Sequence, residues 1–473
     1  MKKFSLFILS VFTCSCVPDT PPAYGPVPTE SQLEWQKMEM NMFCHFGPNT
    51  FSGKEWGEGT ENENLFNPSS LNCRQWAEVA GAGGFKGIII TAKHHDGFCL
   101  WPNPVSEHTV AGCNWRNGRG DVLRELSEAC EERGLKFGVY ISPWDRNAPT
   151  YGTKEYNEVY RKTLEDALSK YGEVFEQWFD GANGEGPNGK KQVYDWSLFY
   201  SEVRKRQPRA IIFSDVGPDC RWVGNENGIA GRTNRSRLNI DGFGPGADAP
   251  GIDTLNTGNK YGSHWVPAEA DVSIRKGWFW HSDETPKSLA QLLDIYYGSV
   301  GRNAVLLLNV PPDNRGLICK EDSLRIIEFR SALDEIFKTN LASGAKASAD
   351  KCRGKGYEPA NAIDDEYDSY WATKDQDRRA GLTIEFNSCK TFNRVLLQEY
   401  IPLGQRVEAF RIEALDCKGN WKVIASETTI GYKRIVLTDK CEATAIKIVI
   451  DDSLACPLIN NVEVYYDDIM IQS

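Results

Sequence analysis

Polar side chains that can donate, accept or transfer protons repeatedly follow short apolar runs in the first two thirds of the chain. The runs end at His45, at the pair His94 and His95, at Tyr140 with Trp144 and Asp145 just beyond it, at Asp180 and at Asn309. In a barrel of parallel strands the carboxyl ends of the strands meet on one face, where barrel enzymes bind their substrates. The recurrence therefore favours an enzyme over a binding or structural protein.

Asp180 is the strongest candidate for a reacting carboxylate. The sequence Gln-Trp-Phe-Asp-Gly at 177–181 places it at the end of an aromatic strand, next to a glycine that gives a substrate close access. Cleavage of a glycosidic bond needs two carboxyl groups, one to attack or to activate water and one to protonate the leaving oxygen. The alternative for Asp180 is an ordinary surface turn.

Alternating strand and helix patterns must position these residues. Predicted strands cover residues 41–45, 87–93, 136–142, 176–180, 210–214 and 304–309. Between them, residues 121–133 and 196–206 have apolar side chains at helical spacing. The pattern predicts an α/β fold, a closed (β/α)8-like TIM barrel over residues 21–339. A doubly wound open sheet is the alternative, because it also binds ligands at the carboxyl ends of its strands.

The composition limits the partners. A net charge of -11 and a pI near 5.3 argue against a nucleic-acid partner, which needs clustered Lys and Arg. The 14 tryptophans suit sugar binding, because an indole face packs on the apolar face of a sugar ring, although most of them are expected in the core. A neutral or weakly charged substrate fits this chain better.

The first 20 residues predict export. Two lysines precede an apolar run over residues 4–12 and the sequence Cys-Ser-Cys at 14–16, which is the pattern of a signal segment too short to span a bilayer. Lipidation at Cys16 and simple cleavage both fit. We therefore expect a periplasmic or secreted protein whose only membrane attachment would be a lipid anchor.

The 14 cysteines are scattered, with no C-x-x-C pair and no regular spacing. Cys44, Cys99 and Cys130 lie inside apolar segments, where free cysteine behaves as a small hydrophobe. We expect buried thiols rather than a disulfide scaffold, although export would permit one, and we expect no zinc site.

Beyond residue 339 the pattern changes to alternating strand-like runs, which predict an all-β sandwich over residues 340–473. The sequences Asn-Leu-Ala-Ser at 340–343, Asn-Ala-Ile-Asp-Asp at 361–365 and Tyr-Trp-Ala-Thr at 370–373 resemble discoidin, or coagulation-factor type C, domains and their carbohydrate-binding relatives. The resemblance implies a structural calcium loop near Asp364, Asp365 and Asp368, for which a solvated acidic turn is the alternative.

The region from His45 to Gly316 resembles glycoside hydrolase family 29, the α-L-fucosidases. The resemblance rests on His-Phe-Gly at 45–47 with Asn-Thr-Phe at 49–51, Glu-Trp-Gly at 55–57, Thr-Ala-Lys-His-His-Asp-Gly-Phe at 91–98, Trp-Phe-Asp-Gly at 178–181, and Asn-Val-Pro-Pro-Asp at 309–313. It implies a retaining exo-enzyme that releases fucose from fucosylated oligosaccharides or glycoconjugates without a catalytic cofactor. A broad-specificity fucosidase, a related hydrolase of other sugar specificity and a non-catalytic glycan-binding lipoprotein are the alternatives.

The resemblance also implies the catalytic roles. The Asp of Trp-Phe-Asp-Gly is the nucleophile in that family, which carries over to Asp180. Residues 221–226 look like the acid/base segment of the subgroup that acts on α1,3- and α1,4-linked fucose, so Glu226 would be the proton donor and would need a raised pKa. Asp215, which ends a neighbouring strand, remains the rival for this role.

By the same resemblance, the fucose-binding residues are His45, Glu55, Trp56, His94, His95 and Tyr140. Neutral imidazoles suit sugar hydroxyls because they both donate and accept hydrogen bonds. Trp56 would stack on the C6 methyl side of fucose. The alternative for the histidine pair is a metal site, but adjacent residues of a strand point to opposite faces unless the strand has ended.

The entrance to the site is expected to hold the rest of the glycan. Trp144, Asp145 and Trp278 are the predicted contacts there, and Arg221 is expected near the acid/base carboxyl or a fucose oxygen. All of these residues precede Gly316. The C-terminal sandwich is therefore not expected to supply side chains to the site.

Overall fold

The computed structural model describes residues 19–468, and within them eight parallel strands close into a barrel. The strands are β1 (Met40–Cys44), β2 (Gly87–Lys93), β3 (Lys136–Ile141), β4 (Val174–Trp178), β5 (Ile211–Ser214), β6 (Cys220–Trp222), β7 (Ala268–Ser273) and β8 (Ala304–Asn309). β1 pairs with both β2 and β8. Closure confirms the predicted barrel and excludes the open sheet. The predicted lipidation site, Cys16, lies outside the described residues.

Helices precede, follow and surround the barrel strands. They are α1 (Glu30–Met38), α2 (Pro48–Ser52), α3 (Cys73–Ala82), α4 (Val122–Arg133), α5 (Lys154–Lys170), α6 (Trp196–Arg206), α7 (Ile252–Thr257), α8 (Leu289–Gly298) and α9 (Lys320–Ile336). The side chain of Asp121 accepts a hydrogen bond from the Arg124 amide at the start of α4, and Gly134 ends that helix in the left-handed conformation. The helices predicted at 121–133 and 196–206 are confirmed.

Two barrel strands, β6 and β7, were not predicted. Residues 215–219 join β5 directly to β6, although parallel strands usually need a crossover of a dozen or more residues, so no helical pattern marked this pair. β7 reads Ala-Glu-Ala-Asp-Val-Ser, a polar alternation typical of a half-exposed strand. All six of its residues are nevertheless buried, and Glu269 and Asp271 accept hydrogen bonds from the indoles of Trp178 and Trp222.

A pair of carboxyl groups, Glu176 and Glu269, lies buried in the barrel interior. The indole of Trp35 donates to Glu176 at 2.7 Å, and that of Trp178 donates to Glu269 at 2.8 Å. Within residues 19–468 the remaining oxygens, Glu176 Oε1 and Glu269 Oε2, have no hydrogen-bond partner, and the two carboxyl groups are close enough to influence each other's pKa. Burial raises the pKa of Glu176 to about 7, and burial together with Glu176 raises the pKa of Glu269 well above its ordinary value. We therefore expect the pair to share a proton near neutral pH.

We expect Glu176→Gln to remove much of the loss of stability that the wild-type protein shows as the pH rises. The folded-state pKa of Glu176 lies above its ordinary value of 4.5, so the folded state binds the proton more tightly and stability falls between pH 4.5 and about 7. A glutamine amide would donate to Glu269 without needing that proton. Urea denaturation at pH 5 and pH 8 should show a variant that is stabilised relative to wild type at pH 8 by roughly 1–3 kcal/mol more than at pH 5.

Glu202→Gln is the matched control, because Glu202 is also buried but is paired with cations. Burial opposes its ionisation, but hydrogen bonds from Arg206 and Arg161 prevail and lower its pKa. Its stabilising contribution is therefore present at neutral pH and lost in acid. Parallel stability curves for Glu176→Gln and wild type would contradict the shared proton.

The C-terminal part of the chain is all-β, as predicted. Its strands are β9 (Lys346–Ala349), β10 (Trp371–Ala372), β11 (Ala380–Glu399), β12 (Val407–Asp416), β13 (Trp421–Glu427), β14 (Arg434–Ser453) and β15 (Leu458–Tyr465). They form a seven-stranded sheet in the order β10–β15–β11–β14–β12–β13, with β9 paired to β11. Alternate residues of the long strands β11 and β14, such as Leu382, Ile384, Ile446 and Ile448, are fully buried in its core. We call this part the C-terminal β domain.

Ten of the described cysteines are free, and all of them except Cys352 are buried, in agreement with the expected thiols. Cys389 and Cys417 form a disulfide, which the sequence spacing did not indicate. Residues 19–468 contain no group of three or more His, Cys, Asp or Glu side chains placed to hold a metal ion. The calcium loop at Asp364, Asp365 and Asp368 remains a prediction.

The helices within residues 19–468 include none that is long and apolar enough to cross a membrane.

Candidate active site

Asp180 lies two residues beyond the end of β4. The strand was predicted to end at residue 180, but it ends at Trp178. Its Oδ2 accepts a hydrogen bond from the Tyr140 hydroxyl at 2.9 Å and lies 3.6 Å from Nε2 of His95. Its Oδ1 accepts from the amide of Ala182 at 2.7 Å. These hydrogen bonds hold the carboxylate in one orientation. The side chain is 26% exposed, so a ligand can still reach it.

The predicted histidines gather at the same end of the barrel. The Asn309 side chain accepts from the backbone amide of His45 at 3.1 Å and lies 2.9 Å from its Nδ1, and Nδ1 of His95 lies 2.8 Å from the Ser142 hydroxyl. The rings of His94 and His95 are 4.2 Å apart. β2 ends at Lys93, so the adjacent histidines are not constrained to opposite faces.

Burial keeps these histidines neutral. It lowers the pKa of His45 to about 3 and that of His95 to about 4, and it lowers the pKa of His94 well below its usual value. A hydrogen bond to Asn309 opposes the shift at His45, and Asp180 opposes it at His95. Neutral rings donate and accept at once, which suits sugar hydroxyls.

An exposed indole covers this group of polar residues. Trp56 is 58% exposed, and its ring lies edge-on to His95 at 5.8 Å and to Trp144 at 5.6 Å. Trp144 is 7% exposed, and its indole donates to the Glu185 carbonyl at 3.1 Å. Trp56 therefore presents most of the aromatic surface available to a ligand here.

Glu55 holds the loop that carries Trp278. Its Oε2 accepts from the Trp278 amide at 2.7 Å, and its Oε1 lies 2.6 Å from Nε2 of His281. The Trp278 ring lies 5.0 Å from His45, and its indole donates to Glu226 at 3.3 Å. Glu55 thus positions the entrance loop, a contact that the sequence gave no reason to expect, and its predicted fucose contact remains a prediction.

The side chains of two predicted site residues bond to other parts of the protein. Arg221 is 0% exposed, and its guanidinium donates to the Leu255 and Val266 carbonyls and to the Asn234 side chain. Asp145 is 7% exposed and forms a buried ion pair with Lys93 at 3.0 Å. The predicted sugar contacts of Arg221 and Asp145 stay predictions.

The two candidates for the second catalytic carboxylate differ in environment. Glu226 is exposed on the segment after β6. Asp215 accepts from the Gly246 amide at 2.7 Å, and burial, reinforced by Asp180, raises its pKa to about 6. A Cβ added at Gly181 would lie 1.9 Å from Asp215 Oδ2, so this carboxyl packs against the residue that follows Asp180.

Asp271 is a further buried carboxyl group close to Glu226, which the sequence did not predict to lie there. Its side chain accepts from the Trp222 indole at 2.9 Å, and burial, reinforced by the nearby Glu226 and Glu269, raises its pKa well above the ordinary value. The one available signal was an acidic residue in an alternating run at 268–273.

A closed parallel barrel whose strand ends bring together carboxylates, neutral histidines and an exposed indole defines a hydrolase of the glycosidase class. The sequence matches the Alpha-L-fucosidase family over residues 22–331 and the F5/8 type C domain family over residues 344–461. The chain belongs to the α-L-fucosidase family, and its activity is that of an α-L-fucosidase, a glycoside hydrolase that needs no catalytic cofactor.

Three relatives match along most of their length. Alpha-L-fucosidase 1 from Arabidopsis thaliana is 44% identical over 448 residues, which cover 93% of this chain and 88% of that protein. The crystal structure of SpGH29 gives a TM-score of 0.91 at 38% identity and covers 94% of this chain and 99% of that one. A Ruminococcus gnavus GH29 fucosidase in complex with fucose gives 0.88 at 34% identity, covering 96% and 98%.

Proposed function

We propose that this enzyme is a retaining exo-fucosidase that works by double displacement. Asp180 attacks the anomeric carbon of fucose as the bond to the leaving oxygen breaks, and Glu226 gives its proton to that oxygen. Water then attacks the same carbon, the bond to Asp180 breaks, and Glu226 takes the proton from the water. Each step inverts the anomeric centre, so the product keeps the original configuration.

The observation that carries this proposal is the set of contacts on Asp180. Tyr140 and the Ala182 amide fix the carboxylate, and His95 lies 3.6 Å away. A carboxylate held in one orientation is what attack on a single carbon of a bound sugar needs. The neutral His45, His94 and His95 supply donors and acceptors for the hydroxyls of one sugar.

The positions of the acids support Glu226 over Asp215 as the proton donor. The carboxyl group of Asp215 packs against Gly181, the residue that follows the nucleophile Asp180. The proton donor, however, must lie on the other side of the scissile bond from Asp180. Glu226 reaches the site from β6, two strands around the barrel from β4, and lies beside the Trp278 indole. Its exposure suits a group that must meet both the leaving sugar and water.

We further propose that the substrate is α1,3- or α1,4-linked fucose on a branched glycan. Residues 221–226 resemble the segment of the subgroup with this linkage preference. The Trp278 ring lies 5.0 Å from His45, where it would contact a galactose that branches from the N-acetylglucosamine carrying the fucose. Binding energy from that remote sugar would orient the scissile bond and raise the rate as well as the affinity.

A panel of defined fucosides tests the linkage. We expect kcat/KM for a Lewis-type trisaccharide to exceed that for 2'-fucosyllactose and for a nitrophenyl fucoside by at least about tenfold, because the last two lack the branching sugar. Trp278→Ala should reduce this ratio, whereas Trp421→Ala, which changes an exposed tryptophan of the C-terminal β domain, should leave it unchanged. Equal kcat/KM on all three substrates would contradict the linkage proposal and leave the nucleophile assignment intact.

We also propose export through the N-terminal 20 residues, with Cys16 as a candidate lipid anchor. The support is the lysine pair and the apolar run that follows it. Mass spectrometry of the mature N-terminus in the native host distinguishes lipidation from simple cleavage.

A further inference from the structure

The segment that carries the proposed proton donor leaves the barrel and continues against the C-terminal β domain. We call residues 223–238 the donor segment. Near its start Glu226 is exposed, whereas Asn234, Ser236 and Arg237 are at most 1% exposed. Only Arg237 and Leu238 belong to a strand, so the backbone of this segment is fixed mainly by bonds to its surroundings.

Asn234 joins the C-terminal β domain to the barrel. Its backbone amide donates to the Thr429 hydroxyl at 3.0 Å, and its carbonyl accepts from that hydroxyl at 3.2 Å and from the Gln405 side chain at 3.1 Å. Its own side chain accepts from the buried Arg221 of β6 at 2.8 Å. One residue thus links two side chains of the C-terminal β domain to the strand from which the donor segment starts.

A buried ion-pair cluster adds to this contact. Glu408 of the C-terminal β domain accepts from Arg235 at 2.6 Å and from Arg237 at 3.1 Å, and its side chain is 4% exposed. The Ser236 amide donates to Gln405 at 2.8 Å. Buried groups of this kind tolerate little displacement, because a lost partner leaves a charge or a polar group without solvent.

The stretch between Glu226 and Asn234 is short and internally braced. The Asn225 side chain donates to the Ile229 carbonyl at 2.8 Å. Ala230 donates to the Gly298 carbonyl at 2.8 Å and accepts from Arg302 at 3.0 Å. These bonds fix the backbone between Asn234 and Glu226. Within residues 19–468 the Glu226 carboxylate accepts one side-chain hydrogen bond, from the Trp278 indole at 3.3 Å.

From this geometry we propose that the C-terminal β domain positions the proton donor, with Thr429 and Gln405 acting through Asn234 to hold Glu226 against the leaving oxygen. The inference rests on the proposed role of Glu226. Thr429 and Gln405 are positioning residues and do not touch the substrate. The domain thus contributes to catalysis although every candidate site side chain precedes residue 317.

Contacts away from the donor segment keep the domains together when Asn234 loses its partners. Arg394 donates to the Tyr297 hydroxyl at 2.8 Å, and the Ile435 amide donates to the Gly301 carbonyl at 3.0 Å. A mild substitution at Thr429 should therefore leave a folded, two-domain protein.

The test compares two leaving groups in the full-length protein. Fucosyl fluoride departs with little need for a proton, whereas a Lewis-type trisaccharide needs the general acid. In Thr429→Val we expect kcat/KM on the trisaccharide to fall by about tenfold or more, and kcat/KM on the fluoride to fall by less than about threefold. A misplaced general acid slows only the reaction whose leaving group needs a proton. Gln405→Met should show the same selective loss and provides an independent variant.

Thr163→Val is the matched control. Thr163 is 3% exposed on α5, donates to the Val159 carbonyl at 3.1 Å and accepts from Asn103 at 3.3 Å, so the same hydroxyl loss occurs far from the donor segment. It should affect both substrates equally. Equal losses on both substrates in Thr429→Val and Gln405→Met, or no loss, would overturn the positioning role.

Glu226→Gln in the same experiment separates the inference from the proposed function. A trisaccharide-selective loss in Glu226→Gln without one at Thr429 or Gln405 overturns only the positioning role. Equal loss on both substrates in Glu226→Gln would overturn Glu226 as proton donor and, with it, the inference.

Discussion

Asp180→Ala should lower kcat by at least about a thousandfold on every fucoside without unfolding the protein, because the variant cannot form the covalent intermediate. The Asp180 side chain is partly exposed, and burial keeps its neighbour His95 neutral, so removing the carboxylate leaves no charge stranded in the core. Added azide should restore part of the activity by entering the space left by the carboxylate. The product should be the fucosyl azide of inverted configuration.

Asp195→Ala is a control for carboxylate loss as such. Asp195 caps α6 through the Leu198 amide and has no contact with the predicted fucose-binding residues, so its loss should affect stability and not the chemistry. More than a few per cent of wild-type kcat in folded Asp180→Ala, or azide rescue with retained configuration, would contradict the nucleophile assignment.

Glu226→Ala should lower kcat/KM on a Lewis-type trisaccharide by roughly a hundredfold to ten-thousandfold, the usual contribution of a general acid. The loss should be much smaller for fucosyl fluoride, whose leaving group needs little protonation. Here azide should attack the fucosyl-enzyme from the face that the missing base would have served. The resulting fucosyl azide should therefore retain the original configuration, opposite to the product of Asp180→Ala.

Asp215→Asn decides between the two candidate donors. Asp215 lies half-buried beside Gly181, and burial together with Asp180 raises its pKa to about 6, so its replacement should change the pH dependence without making the loss depend on the leaving group. A leaving-group-dependent loss in Asp215→Asn and none in Glu226→Ala would exchange the two roles.

The sequence predicted those parts of the fold that a local pattern can encode. β2 and β8 match their predicted bounds because each is an uninterrupted buried strand with an apolar run, and α4 begins and ends at its capping residues. β6 is too short to show a period, and β7 has acidic residues facing other side chains inside the barrel. In the sequence alone, carboxyl groups that face the barrel interior have the same pattern as carboxyl groups that face solvent.

The site was predictable where a residue's role follows from its place at a strand end, as for Asp180 and the histidines. It was not predictable where burial or distant contacts decide the role. Arg221 was expected near the substrate, but its side chain is buried among carbonyls from other segments. The contact of Asn234 with Thr429 joins residues far apart in the sequence, which no local motif could reveal.

Trapping of the covalent intermediate tests the central claim most directly. A 2-deoxy-2-fluoro-fucosyl fluoride slows both displacement steps, because the fluorine destabilises the oxocarbenium-like transition state, while its good leaving group lets the first step proceed. After digestion, mass spectrometry should find the fluorofucosyl adduct on the peptide that contains Asp180, and fragmentation should place it on that carboxylate. An adduct on Asp215 or Glu226, or inactivation without any adduct, would contradict double displacement through Asp180.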